Sequence, residues 1–352
     1  REKRLAQSKF TDASLDEIHE FMRRDAKDTL KYGQRVSGAF HLAHYFLNNS
    51  EERKDSDGRP NKDWKLPEQL TRLKQILTHH DVIRPFTSET AMFAAQGAQL
   101  RSACLSRQVG ASVVDTRGNV VALGTNEVPR AGGGVYGEGY EDEDEERRQD
   151  HRCVRRHDKY CSNSREQSRI VEQLVTQLKT QSLIASEHAE EVRSALIGSR
   201  IGGLLEFSRA VHAEMDALLS LARRGLQTVG TRVFVTTFPC HYCARHLVAA
   251  GVDEVQYIEP YPKSKALELH TDSISIRAVD WTPPSKGGDK VLFHPFVGVA
   301  PRLYAKVFTK ARDLKNAKGI HEVADPEWAE AISLGQLSYI ELEVRLLEDR
   351  DV

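Results

Sequence analysis

The sequence has few cysteines and almost no net charge. Five cysteines in 352 residues do not suggest the disulfide framework of a small secreted domain. The 50 lysines and arginines nearly balance the 51 aspartates and glutamates, which leaves a formal net charge of −1. Net charge alone therefore creates no strong field for polyanions such as nucleic acids.

Long apolar runs are also missing. No segment approaches the roughly 20 apolar residues that a membrane helix needs, and no secretory signal peptide is recognisable. Hydrophobic residues make up 39% and charged residues 29% of the chain, as in ordinary globular proteins. We expect a cytoplasmic protein with two domains, or one domain with large insertions. Because the chain begins at Arg1 without a methionine, we also expect further residues upstream.

The pattern of the chain changes near residue 62. Residues 1–50 are helical in pattern, with Ser14 as the N-cap of a helix. The stretch "SEERKDSDGRPNK" that follows is polar and rich in turn residues, which is typical of a linker. We therefore predict one domain or domain fragment over residues 1–62 and a second domain over residues 63–352. The second is interrupted at residues 126–163 by a glycine-rich and acidic insertion, which we expect to be a solvated loop.

The region after residue 63 predicts an α/β fold. A helical stretch leads into a hairpin that turns at Thr116–Asn119, and the helical pattern returns over residues 164–225. Strands are predicted at 231–238 and 254–261, with a short helix between them. This alternation implies a sheet with helices on both faces. Further on, "ISIRAVDW" predicts one more strand, and "DPEWAEAISL" predicts a helix with Asp325 at its N-cap.

Two short motifs, "VHAEMDALL" and "TTFPCHYCARHL", carry the chemistry. His212, Cys240 and Cys243 offer one imidazole and two thiolates. These are three ligands for Zn²⁺, and they leave its fourth tetrahedral position to water. Glu214 lies two residues from His212, near the metal without being a ligand. A carboxyl group there can move a proton between water and a substrate.

A closed structural zinc site and a redox pair are two other interpretations of the Cys-x-x-Cys motif. A closed site needs a fourth protein ligand, for which His241 and His246 are close in the sequence. A redox pair is typical of the start of a βαβ unit. Neither interpretation accounts for His212 and Glu214. In contrast, H-x-E followed by P-C-x-x-C is the signature of zinc-dependent nucleobase deaminases.

Together these motifs resemble the cytidine and deoxycytidylate deaminase family, and the resemblance extends beyond them. The S-x-C-x-x-R-x-V-G-A pattern that begins at Ser102 and the "GTNEVP" turn are similar to the family's first strand and its substrate turn. The resemblance covers roughly residues 88–125 and 200–280. It implies an α/β/α cytidine-deaminase-like fold with a mixed central sheet. It also implies that zinc is bound by His212, Cys240 and Cys243. Proton transfer is assigned to Glu214, and substrate contact to Asn126 and Arg107.

The resemblance implies hydrolytic deamination of dCMP or dCTP to the deoxyuridine nucleotide, with one catalytic zinc. Glu214 would take a proton from water, protonate N3 and help ammonia to leave. The family also implies a homo-oligomer and a nucleotide effector such as dCTP or dTTP. The sequence does not decide between monophosphate and triphosphate. Four cations could each meet a phosphate: Arg107, Arg209, Lys263 and Lys265.

A second resemblance concerns residues 1–50. The stretch that ends "HLAHYFLNN" is similar to the last third of a P-loop nucleotide-kinase domain, although no G-x-x-x-x-G-K-[ST] pattern occurs in the 352 residues. A P-loop domain joined to a deaminase is the arrangement of bacterial anti-phage deoxycytidine-nucleotide deaminases, which deplete the dCTP pool. A plain helical extension used for oligomer contacts is the alternative.

Two other functions compete with free-nucleotide deamination. One is a polynucleotide deaminase of the same fold that edits DNA or RNA. The near-zero net charge and the acidic run at 141–146 argue against it, because both disfavour a phosphate backbone. The other is a non-catalytic zinc scaffold. Glu214 argues against that, since a scaffold has no use for a carboxyl group that is not a ligand.

The end of the insertion, "DHRCVRRHDKYC", predicts a second, structural zinc. Its four zinc-ligating side chains could close a tetrahedral site and fix a loop that has little core of its own, as in some members of the family. The candidate ligands are His151, Cys153, His157 and Cys161. A charged surface loop is the plainer interpretation, and contact of Asp150 and Arg152 with the nucleotide is a third.

Overall fold

A computed structural model of the chain describes Leu5 and residues 13–26, 36–78, 82–137, 150–310 and 313–322. The chain packs as two units. The larger unit is Ala94–Pro295, and the smaller unit is Arg1–Phe93 with Phe296–Val352. Our domain boundary between residues 62 and 63 stays a prediction. None of the described helices has the length and apolar character to cross a membrane.

The helices are α1 Leu15–Ala26, α2 Leu66–Thr78, α3 Thr87–Gln99, α4 Ser162–Thr180, α5 Ala189–Gly198, α6 Ala213–Arg223, α7 His241–Ala249, α8 Ala266–Leu269 and α9 Pro301–Phe308. The strands are β1 Tyr45–Phe46, β2 Gly110–Val114, β3 Val120–Thr125, β4 Arg232–Thr237, β5 Glu254–Glu259, β6 Ile274–Ser275, β7 Val291–Pro295 and β8 Gly298–Val299. Short 3₁₀ turns lie at Val36–Leu42, Cys153–Arg155, Ser186–His188, Arg200–Gly203 and Pro284–Lys286.

In the smaller unit, α1 begins at the predicted N-cap. The hydroxyl of Ser14 accepts a hydrogen bond from the backbone nitrogen of Glu17 at 3.3 Å, and the Glu17 carboxylate accepts one from the Ser14 nitrogen at 2.8 Å. This reciprocal pair is a capping box. The segment "HLAHYFLNN", which resembles the end of a kinase domain, contains only one short strand, the two-residue β1, which pairs antiparallel with β8. The P-loop resemblance stays a prediction.

A buried carboxylate ties the two chain segments of the smaller unit together. Glu89 is fully buried and lies 2.7 Å from the guanidinium of Arg72. It also accepts hydrogen bonds from the backbone nitrogens of Phe86 and Val299, at 2.7 and 2.9 Å. Because a buried charge is costly without partners, these contacts are what make this position tolerable.

The larger unit is built on a six-stranded sheet in the order β3-β2-β4-β5-β7-β6. Strand β2 runs antiparallel to both of its neighbours, β3 and β4, whereas β4, β5, β7 and β6 run parallel to one another. The predicted hairpin and mixed sheet are therefore confirmed. The strand predicted in "ISIRAVDW" is shorter than expected, since only Ile274–Ser275 pairs. The helix predicted from Asp325 lies outside the described residues.

Helices cover both faces of this sheet, and two glycines show how closely they approach. In the β2–β3 ladder, Ala111 lies opposite Gly124, so the preceding residue, Gly110, faces the other side. A Cβ on Gly110 would lie 1.9 Å from the carbonyl oxygen of Ala95 in α3, and one on Gly124 would lie 2.0 Å from that of Ala213 in α6. Helices α3 and α6 therefore pack on opposite faces, which confirms the three-layer arrangement.

Candidate active site

Two helix starts bring the zinc-ligand candidates together. His212 is the N-cap of α6, and Cys240 is the N-cap of α7. Cys243 lies in the first turn of α7, where its backbone nitrogen donates to the Cys240 sulfur at 3.4 Å. The buried strand β4 ends just before Cys240, so the sheet delivers this turn to its carboxyl edge. Sites of α/β proteins usually lie at that edge.

The three side chains have the spacing of a zinc site. The Nδ1 atom of His212 lies 3.3 Å from the Cys240 sulfur and 3.4 Å from the Cys243 sulfur. All three ligand atoms lie within 4.8 Å of one another, and no second group of this kind occurs among the described residues. Nitrogen and sulfur ligands of a tetrahedral zinc lie about 3.5 Å apart. The geometry and the donor set therefore fit zinc.

The same contacts shift the acidity of the ligands. A hydrogen bond from Cys243, followed by one from His212, lowers the pKa of the Cys240 thiol to about 4 against the effect of burial. The hydrogen bond to Cys240 raises the pKa of His212 to about 8. Cys240 is thus set up as a thiolate, the form that binds metal.

Glu214 lies beside the ligands without belonging to their group. Its side chain is only 4% exposed, and burial is the main reason that its pKa rises to about 7. A carboxyl group whose pKa lies near neutrality can both accept and donate a proton during one reaction. The position that sequence reasoning chose for a proton carrier therefore has the acidity that this role requires.

A cavity of about 320 Å³ opens beside these groups. Its size is at the lower end of the range for small-molecule sites. It is lined by His212, Glu214 and Cys240 together with thirteen other residues. The substrate-contact candidates Asn126 and Arg107 are among them.

The structure separates the four cations proposed for phosphate. Arg107 and Lys263 line the cavity. Arg209 instead lines a smaller neighbouring cavity and donates to the carbonyl oxygen of His151 at 2.9 Å. Lys265 forms an ion pair with Glu268 at 2.7 Å. Arg107 and Lys263 are therefore the two cations placed to meet a ligand in this cavity.

Asn126 is held by the backbone of the loop opposite it. Its side-chain oxygen accepts from the Val109 nitrogen at 2.6 Å, and its side-chain nitrogen donates to the Arg107 carbonyl oxygen at 2.5 Å. Arg107 in turn lies 3.7 Å from a carboxylate oxygen of Glu259, with its guanidinium 5.9 Å from the ring centre of Tyr261. Asn126 thus shapes the loop that carries Arg107, in addition to lining the cavity.

The four candidates for a second zinc are not brought together. The His157 side chain is fully exposed and its Nδ1 atom lies 3.1 Å from the Asp158 carboxylate. The two thiols contact different hydroxyl groups instead of a shared centre: the Ser162 hydroxyl lies 3.9 Å from the Cys153 sulfur, and the Ser106 hydroxyl lies 3.5 Å from the Cys161 sulfur. In the described structure, His151, Cys153, His157 and Cys161 therefore do not form the predicted site.

The third interpretation of this segment meets a similar difficulty. The Arg152 side chain is only 3% exposed, and its Nε atom lies 2.9 and 2.8 Å from the two carboxylate oxygens of Asp150. Neither residue lines the cavity beside Glu214. The acidic run at 141–146 lies outside the described residues.

Sequence reasoning missed several residues that line the cavity. Asn163 at the start of α4 and Leu205 and Ser208 in the segment before α6 line it. Phe238 and Tyr261, which follow strands β4 and β5, line it as well. The last two could have been found, because residues just after parallel strands gather at the carboxyl edge of a sheet. Nothing in the local pattern marks the first three.

Known proteins match this chain over its central part. The family described as the cytidine and deoxycytidylate deaminase zinc-binding region matches residues 86–259, just under half of the chain. A deoxycytidylate deaminase of Enterobacteria phage T4 is 26% identical over 178 residues, which cover 51% of this chain and 80% of that protein. ComE operon protein 2 of Bacillus subtilis is 39% identical over 54 residues, 15% of this chain.

Coverage of other relatives is shorter. The chain spans 29% of the length of ComE operon protein 2. A probable deoxycytidylate deaminase of Drosophila melanogaster is 31% identical over 80 residues, which cover 22% of this chain and 38% of that protein. Among solved structures, the dCMP deaminase of cyanophage S-TIM5 in complex with dCMP and dUMP has 18% sequence identity and a TM-score of 0.33. That match covers 61% of this chain and 99% of the other.

Proposed function

Because residues 86–259 match the cytidine and deoxycytidylate deaminase family, we propose that this chain is a zinc-dependent enzyme that converts deoxycytidine nucleotides, dCMP or dCTP, to deoxyuridine nucleotides. One observation carries the proposal. His212, Cys240 and Cys243 have the spacing of zinc ligands, and the buried Glu214 lines the same cavity as His212 and Cys240. A structural zinc site would have no use for that carboxyl group.

Each polar group has a place in the reaction. When bound by His212, Cys240 and Cys243, zinc supplies a Lewis acid that lowers the pKa of water. Glu214 accepts a proton from the attacking water and passes it to N3 of the pyrimidine. As a bond forms between the water oxygen and C4, a second proton reaches the amino nitrogen through Glu214. The C4–N bond then breaks, and ammonia leaves.

The remaining cavity residues bind the nucleotide. Arg107 and Lys263 are the cations that line the cavity, so we assign the phosphate to them. Asn126 is only 7% exposed and lines the cavity, and we assign to its amide group contact with the sugar in addition to its bonds to the Arg107 loop. The energy of these contacts orients the pyrimidine toward Glu214.

We extend the proposal to the whole protein. The resemblance of residues 1–50 to the end of a P-loop kinase domain supports a protein that depletes dCTP in defence against phage, and the match to the family supports a homo-oligomer and a dCTP or dTTP effector. The test is the dCTP pool of infected cells that express the full protein. The pool should fall in cells with the wild type and stay unchanged in cells with Glu214→Ala.

A substrate panel tests the activity itself. Zinc-loaded protein is incubated with dCMP, dCTP, cytidine and a single-stranded oligonucleotide that contains deoxycytidine, and ammonia is measured. We expect release from dCMP or dCTP, and little from cytidine because it lacks a phosphate for Arg107 and Lys263. Release from the oligonucleotide alone would replace the proposal with polynucleotide editing.

A further inference from the structure

Residues 204–208 form an outer wall of the substrate cavity. This segment leads from the 3₁₀ turn at Arg200–Gly203 toward α6. Leu205 and Ser208 line the cavity from this segment. The cavity beside Glu214 is therefore lined in part by residues that belong to neither zinc motif.

The wall has open space on both of its sides. A second hollow of about 340 Å³ lies beyond it and is lined by Leu205, Glu206 and Ser208, with Tyr242 opposite. Leu205 and Ser208 line both spaces. A segment with few buried contacts is held less firmly than the core. The position of the wall therefore depends on its polar contacts.

One set of these contacts comes from α4. The side-chain nitrogen of Asn163 donates to the carbonyl oxygen of Leu204 at 2.7 Å, and its side-chain oxygen accepts from the Phe207 nitrogen at 3.3 Å. Gln167, one turn further along α4, donates to the same Leu204 oxygen at 2.7 Å. Asn163 thus spans the segment while it also lines the cavity.

A second contact comes from the zinc-binding turn. The hydroxyl of Tyr242 donates to the carboxylate of Glu206 at 2.9 Å. Tyr242 lies between Cys240 and Cys243 on α7. The turn that presents two zinc ligands therefore also holds the outer wall.

We propose that Asn163 and the Glu206–Tyr242 pair are positioning residues that keep the wall, residues 204–208, closed against a bound deoxycytidine nucleotide. This inference rests on the proposed function for its substrate. None of the three side chains belongs to the zinc ligands or to the proton path. Their loss weakens substrate binding and leaves the chemical step in place.

Steady-state kinetics of Asn163→Ala test the first contact. Loss of two hydrogen bonds should raise KM for the nucleotide about tenfold, with kcat within about twofold and zinc content unchanged. Gln173→Ala is the matched control, because Gln173 is an exposed residue of the same helix. Its KM should equal that of the wild type. An unchanged KM in Asn163→Ala, or a kcat that falls with KM unchanged, overturns the role of Asn163.

The second contact has a conservative rescue. Glu206→Gln keeps an oxygen that accepts from Tyr242, so its KM should stay near that of the wild type, whereas Glu206→Ala and Tyr242→Phe should raise KM about threefold each. Because both variants remove the same hydrogen bond, the KM of the double variant should equal that of either single variant. An additive double variant, or a Glu206→Gln variant as weak as Glu206→Ala, overturns this part.

Hydrogen exchange tests the wall without relying on activity. In Asn163→Ala the backbone amide of Phe207 loses its acceptor and should exchange faster, together with its neighbours in residues 204–208, while the amides of β4 keep their wild-type rates. An unchanged rate at Phe207 contradicts the inference. If the wild type releases no ammonia from dCMP or dCTP, the proposed function fails, and the exchange rates still decide the inference. If Asn163→Ala does not fold, Tyr242→Phe, which frees Glu206 from α7, should also speed exchange in residues 204–208, and unchanged rates there contradict the inference.

Discussion

The side-chain oxygen of Asn126 lies 2.6 Å from the backbone nitrogen of Val109. Together with the bond from its side-chain nitrogen to the Arg107 carbonyl oxygen, this contact joins the "GTNEVP" turn to the loop that carries Arg107. The sequence pattern suggested a residue that contacts substrate. The structure adds that the same amide group holds a neighbouring cavity residue in place.

Asn126→Ala should therefore affect both binding and stability. KM for the nucleotide should rise at least about tenfold, and the free energy of unfolding should fall by about 1–3 kcal/mol, because the backbone groups at Arg107 and Val109 lose their partners. Kinetics and urea denaturation measure the two effects. The control is Asn119→Ala, which should leave KM unchanged because Asn119 is an exposed residue of the hairpin whose side chain bonds to Asp115. An unchanged KM in Asn126→Ala would remove this residue from the site.

Much of the fold could be predicted from local patterns. Strands β4 and β5 are rich in β-branched and aromatic residues, and the hairpin of β2 and β3 turns at polar residues, so composition and turn chemistry locate them. The length of β6 and the existence of β1 and β8 could not be found this way. These strands pair over only two residues each, and a partner distant in the sequence decides such pairing.

The zinc ligands were easier to place than the cavity. His212 and the Cys-x-x-Cys pair form a local pattern whose chemistry limits their geometry. Asn163 and Leu205 line the same cavity as Glu214, and the contact between their segments is a side-chain bond from Asn163 to the Leu204 carbonyl oxygen, 41 residues further along the chain. Such bonds have no period in the sequence. The second zinc site failed for a related reason. The sequence spacing of His151, Cys153, His157 and Cys161 suggested a site, but tertiary contacts decide where these side chains lie, and the structure does not bring them together.

Loss of one zinc ligand should remove the metal. Cys243→Ala leaves two ligands, which hold zinc far more weakly than three, so the purified variant should contain less than about 0.1 zinc per chain and unfold at a lower temperature. Elemental analysis and thermal unfolding measure this. Cys104→Ser, a cavity-lining cysteine outside the ligand group, should keep its zinc. Stoichiometric zinc in Cys243→Ala would contradict the assignment.

The metal count tests the second site. Since the described residues hold one group of metal-ligating side chains, we expect one zinc per chain in the wild type and the same value in Cys153→Ser and Cys161→Ser. Elemental analysis of pure protein decides the question. Two zinc atoms per chain that fall to one in either variant would show that the insertion binds metal after all.

The sheet contains a pair whose contribution to stability depends on pH. Burial opposes ionisation of Glu254, but the contact with His294, at 2.7 Å, together with smaller contributions from Gln256 and Arg232, outweighs it and lowers the pKa of the carboxyl group below 4.5. Because the pKa of Glu254 is lower in the folded protein than in the unfolded chain, its charge stabilises the fold above pH 4.5. This stabilisation is lost as the pH falls through the pKa of the folded protein. Glu254→Gln should therefore be less stable than the wild type at pH 7 by about 1–2 kcal/mol.

This deficit should shrink toward zero as the pH falls to about 3, below the ordinary carboxyl range. Urea denaturation at several pH values measures it. Glu268→Gln removes an exposed ion pair with Lys265 and should cost less than about 0.5 kcal/mol at any pH. A deficit in Glu254→Gln that is equal at pH 3 and pH 7 would show that shape, and not charge, matters at this position.

Conversion of dCMP to dUMP by the wild type and by Glu214→Ala, measured side by side with the zinc content of both, tests the central claim most directly. Glu214 is buried beside the metal-ligand group but is not a member of it. The variant should therefore keep its zinc and its fold, while turnover falls about 10²- to 10⁴-fold because no group remains to move the proton. The account is contradicted if Glu214→Ala retains wild-type turnover, if it loses its zinc, or if the zinc-loaded wild type produces neither dUMP from dCMP nor dUTP from dCTP.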